Sequence, residues 1–90
     1  MNQGDDTRPT WVEDESVESA VLRQLLELHP TRLTMDELSL EISGGRSGFA
    51  ERDAVERAVR DLAATGLLHR GDEFVAPTRA ALRFSELLDQ

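Results

Sequence analysis

The stretch Phe49–Leu68, FAERDAVERAVRDLAATGLL, decides how the rest of the chain is read. Val55, Ala58, Val59, Leu62 and Ala63 recur at helical spacing and form one apolar stripe. Arg52, Glu56, Arg57, Arg60 and Asp61 fall mostly off that stripe, toward water or a partner. Gly66 stands where a left-handed C-terminal cap is wanted. In that register Leu67 is C″ and Leu62 is C3, the pair whose contact closes a Schellman motif. The continuation Leu67–Pro77, LLHRGDEFVAP, predicts two short strands around a Gly71-Asp72 turn, with Phe74 and Val75 as strand formers.

Upstream, Thr34-Met35-Asp36-Glu37 fits a capping box, and Leu33 can staple onto Leu38. A short helix follows, with Leu38 and Ile42 inward and Met35 and Leu40 as further apolar contacts. Ser43–Gly48, SGGRSG, is a glycine-rich connection. No Lys follows its glycines and no strand precedes them, which argues against a nucleotide-binding loop. Phe49 is expected to pack inward. The first helix runs from near Ser16 to Leu28, with Thr10 and Glu13 offering an earlier capped start. Val17, Val21, Leu25 and Leu28 share a face, and His29-Pro30 ends the helix. Downstream, Pro77 closes the second strand. Thr78 caps a last helix, Arg79–Leu88, whose Ala81, Leu82, Phe84, Leu87 and Leu88 cannot all face one narrow stripe. A helix apolar on two sides suits packing on its own domain and on a second copy.

Ninety residues make one domain, preceded by an acidic tail over residues 1–15 that is expected to be largely disordered. In that tail Trp11-Val12 reads as an anchor against the domain or a second subunit. There is no Cys, which removes disulfides and thiolate chemistry. No apolar run reaches membrane-spanning length, so a cytoplasmic protein without a membrane partner is expected. The net charge is −8. Residues 1–19 hold six acids against Arg8, whereas residues 44–83 hold seven Arg against six acids. Overall acidity opposes non-specific DNA binding, while leaving room for one locally basic face. Every basic residue is Arg, which suits bidentate contact to guanine or phosphate and also follows from a GC-rich genome.

The order helix, helix, helix, hairpin, helix over residues 17–88 resembles the winged helix-turn-helix superfamily. The strongest local pieces are Val55–Leu62 through Gly66-Leu67-Leu68, and Pro77-Thr78-Arg79-Ala80-Ala81-Leu82. They look like the small prokaryotic DNA-binding regulators of the MarR-like and PadR-like kind. The fold the resemblance implies is mainly α with a small β-hairpin: a three-helix core, a short wing and a C-terminal helix, spanning residues 16–90. In those regulators the third helix enters the DNA major groove and the wing touches the backbone or the minor groove. Carried over by position, Ser47, Arg52, Arg57 and Arg60 are helix contacts to double-stranded DNA. Arg70 is a wing contact, and Arg46 approaches phosphate from the turn. The acidic balance, the longer turn and the interspersed Asp53 and Glu56 depart from that pattern.

Two functions compete. One is a DNA-binding transcriptional regulator, expected as a homodimer from its last helix and Trp11. The other is a winged-helix protein-interaction module without DNA binding, which the acidic charge favours. The solvent-face pairs Asp53–Arg57 and Glu56–Arg60 also explain the helix charges with no ligand at all. Nothing points to an enzyme, a cofactor or a metal, because no nucleophile is paired with a base. His29 reads as a helix-terminal residue interacting with the dipole.

Overall fold

The computed structural model describes residues 10–45 and 49–89, and the side chains of 14–45 and 50–89. Residues 1–9 of the acidic tail, the Arg46 and Ser47 sites, and the side chains of Trp11, Val12 and Phe49 lie outside that description. The chain is mainly helical. In order come α1 (Thr10–Leu28), α2 (Met35–Ile42), α3 (Phe49–Ala64), β1 (Leu68–Arg70), β2 (Val75–Pro77) and α4 (Arg79–Leu88).

The helix α1 starts at Thr10, the earlier of the two starts the sequence offers, so Ser16 falls inside it. Asp14 and Glu15 then lie in its first turns, where carboxylates complement the positive end of the helix dipole. The capping box of α2 is complete. Thr34 Oγ1 accepts from the Glu37 N–H at 3.1 Å, and the Thr34 N–H donates to Glu37 Oε1 at 2.9 Å.

Both α2 and α3 end in Schellman motifs. In α3 the Leu67 N–H reaches Leu62 O at 2.9 Å and the Gly66 N–H reaches Ala63 O at 3.1 Å, with Gly66 at φ +87°. In α2 the Gly45 N–H reaches Leu40 O at 2.8 Å and the Gly44 N–H reaches Glu41 O at 3.4 Å, with Gly44 at φ +70°. Only a residue without a Cβ takes that left-handed conformation cheaply.

The core joins three helices and the hairpin. Val21 and Leu25 of α1, Leu38 of α2, and Val55, Ala58, Val59 and Leu62 of α3 pack with Leu68 and Val75. The strands pair antiparallel in the register Leu68↔Pro77, His69↔Ala76, Arg70↔Val75. Their connection is wider than the expected two-residue turn. The Gly71 N–H donates to Phe74 O at 2.9 Å, and Phe74 sits in the loop, 39% exposed, rather than in the strand. Leu33, just before α2, bridges Val75 by a hydrogen bond from the Val75 N–H to Leu33 O at 2.8 Å. That bridge ties the α1–α2 connection to the hairpin. On α2 the inward positions are Leu38 and Ser39, while Leu40 is 46% exposed. Leu40 is therefore not the interior contact its residue type suggests.

Candidate nucleic-acid interface

Burial of Val55, Ala58, Val59 and Leu62 fixes the rotation of α3. The opposite side must then carry Arg52, Asp53, Glu56, Arg57, Arg60 and Asp61, since side chains three and four apart share a face. Arg57 and Arg60, three apart, share that face, whereas Arg52, five residues before Arg57, stands at its edge toward α2. Arg70 ends β1 at the hairpin loop and is exposed.

These cations differ in their surroundings. Arg52 reaches across to Asp36 in the first turn of α2, and its Nε lies 3.5 Å from Glu56 Oε2. The hydrogen bond to Asp36, and next its charge, raise the Arg52 pKa above the ordinary guanidinium value, with Glu56 adding less. Arg57 donates to Asp53 at 2.7 Å and lies 3.4 Å from Asp14 of α1. Arg60 and Arg70 form no ion pair among the described residues. The expected Asp53–Arg57 pair is present, whereas Glu56 turns back to Arg52 instead of forward to Arg60.

The face is therefore charge-balanced rather than basic. Its ion pairs are solvent-exposed, with Arg side chains 41–46% accessible, and such pairs contribute only about 0–1 kcal/mol each. A phosphate can displace them at small direct cost, but the released carboxylates stay nearby and oppose it. Asp14 and Asp36 are the interface residues that sequence reasoning does not single out. They meet α3 from other helices, and no local spacing signals such a contact.

Among the described residues no group of acidic and histidine side chains is arranged to hold a metal ion, and no helix is long and apolar enough to cross a membrane. No protein-family model, curated protein or solved structure matches the chain.

Proposed function

We propose that this chain is a winged-helix DNA-binding domain, with α3 as the helix that enters the major groove and the β1–β2 hairpin as the wing. The observation that carries this reading is that Arg57 and Arg60 share the face of α3 that the core leaves outward, with Arg52 at its edge. The element order and the isolated Leu33–Val75 bridge, which ties the segment before α2 to the hairpin, support it. On this reading Arg60 and Arg70 meet phosphate or base edges directly. Arg52 and Arg57 do so by exchanging Asp36, Glu56, Asp53 and Asp14 for phosphate. The domain works as a regulator by occupancy of its site and performs no catalysis.

The test is binding to random-sequence duplex DNA at low salt, compared between the parent and Arg57→Ala/Arg60→Ala. Parent binding should weaken steeply with salt. The double variant should lower the slope of log affinity against log salt by about 2, one phosphate contact per Arg. Equal binding by both proteins removes α3 from the interface.

A protein partner is the second reading. It is favoured by the pairing of Arg52 and Arg57 with two carboxylates each, in a chain of net charge −8. No binding of the parent to duplex at low salt decides for it.

A further inference from the structure

A seam of like charge runs beside the outward face of α3. Asp14 of α1 meets Arg57, and one turn further along each helix Glu18 faces Asp61. Asp53 stands one turn before Arg57 on α3 and pairs with it. Four carboxylates thus gather here, two from α1 and two from α3. Arg57 is the cation that joins the two helices. Its Nη2 lies 3.4 Å from Asp14 Oδ1, and its Nη1 donates to Asp53 Oδ2 at 2.7 Å.

The first turns of α1 depend on that cation more than the rest of the helix does. Val17 is the first described side chain of α1 packed against the core, and Val21 and Leu25 follow it inward. Before Val17 the described side chains are Asp14, Glu15 and Ser16, none of them apolar. Asp14 supplies the ion pair to α3. Once Arg57 turns to a phosphate, Asp14, Glu18, Asp53 and Asp61 keep their mutual repulsion and lose the charge that offset it. The part of the seam with the least apolar burial then yields, and that is the start of α1.

We infer that Arg57 is shared between α1 and an incoming DNA phosphate, so that duplex binding loosens the first turns of α1 and those turns hold duplex affinity down. The inference rests on the reading of α3 as the DNA-facing helix. The coupling is reciprocal, since two partners that compete for one group weaken each other equally.

Amide hydrogen exchange of the full chain, with and without random-sequence duplex DNA at low salt, tests it. The readout is the amides of residues 14–17, the first that α1 can hydrogen-bond when it starts at Thr10. In the free chain Arg57→Ala should speed their exchange about 3- to 5-fold, the reach of one exposed ion pair. Saturating duplex should speed them by a similar factor in the parent and no further in Arg57→Ala. Asp14→Asn should raise duplex affinity about 3-fold, a gain that shrinks as salt rises. Glu15 forms no ion pair among the described residues, so Glu15→Gln removes the same charge with a smaller gain. Unchanged exchange in free Arg57→Ala overturns the inference whatever α3 binds. So does a duplex-bound parent whose residues 14–17 exchange no faster, or an Asp14→Asn gain no larger than that of Glu15→Gln. No duplex binding at low salt overturns the reading of α3 itself, and the inference falls with it.

Discussion

The Ser39 hydroxyl lies on the inward face of α2, 7% exposed, and its Oγ has no hydrogen-bond partner among the described residues. A buried hydroxyl without a partner costs about 1–3 kcal/mol of desolvation. Alanine removes the hydroxyl, keeps the volume small and has the better helix propensity. Ser39→Ala should therefore stabilise the domain by roughly 1 kcal/mol, raising the thermal midpoint by about 4–8 °C for a domain of this size. A lower midpoint would show that the hydroxyl has a hydrogen-bond partner after all. The same position shows how far residue-level reading reaches. Met35, Leu38, Ser39 and Ile42 follow the i, i+3, i+4, i+7 rule, so period alone turns Ser39 inward and Leu40 outward. Residue type points the other way, and in a helix of eight residues the helical period prevails. Gly66 and Thr34 are legible for the opposite reason. Each acts through hydrogen bonds to residues a few positions away, so the local sequence contains the whole interaction.

At the scale of elements, Thr78 ties the start of α4 to the turn that ends α3. Thr78 Oγ1 accepts from the Ala81 N–H at 3.2 Å, capping α4, and donates to Gly66 O at 2.7 Å. The Thr78 N–H reaches Leu67 O at 3.0 Å, so the start of α4 is stitched to the Schellman turn of α3. Thr78→Val keeps the shape and loses both hydroxyl bonds. It should cost about 1–2 kcal/mol, read as a lower denaturant midpoint at unchanged slope, whereas Thr78→Ser should retain most of the stability. If Thr78→Ser costs as much as Thr78→Val, the methyl group and not the hydroxyl is what matters. The cap itself is legible in the sequence, but its second bond to Gly66 is not, because that contact spans the hairpin. The same division runs through the candidate interface. Asp53–Arg57 is an i, i+4 pair within α3 and can be read from spacing, whereas Arg52–Asp36 and Arg57–Asp14 join different helices. They exist only once α1, α2 and α3 have packed, and they add carboxylates from other helices to a face already of mixed sign.

At the scale of the whole molecule, several of the N-terminal acids in the described residues meet α3 across the core. Glu13, Asp14, Glu15 and Glu18 all lie in α1, where Asp14 meets Arg57 and Glu18 faces Asp61 of α3. Burial first, then the Asp61 carboxylate, then Asp14 and Glu15, raise the Glu18 pKa above 4.5. All of these causes disfavour its charged form in the folded state, so the native chain holds the Glu18 proton to higher pH than the unfolded chain does. Where the native state binds more protons, stability falls as pH rises. The contribution of Glu18 is therefore most favourable below 4.5, is lost as pH climbs through its raised folded value, and stays lost at neutral pH. Glu18→Gln mimics the protonated side chain and does not titrate. The variant and parent should have similar stability in acid, and the variant should become the more stable as pH rises to 7. Denaturant midpoints of both proteins at a series of pH values check this. Added salt should shrink the gap without closing it, because screening weakens the repulsion from Asp61, Asp14 and Glu15 but leaves the cost of burial. A variant less stable than the parent at pH 7 would mean that the Glu18 carboxylate gains more from a favourable contact than it loses to burial and its acidic neighbours.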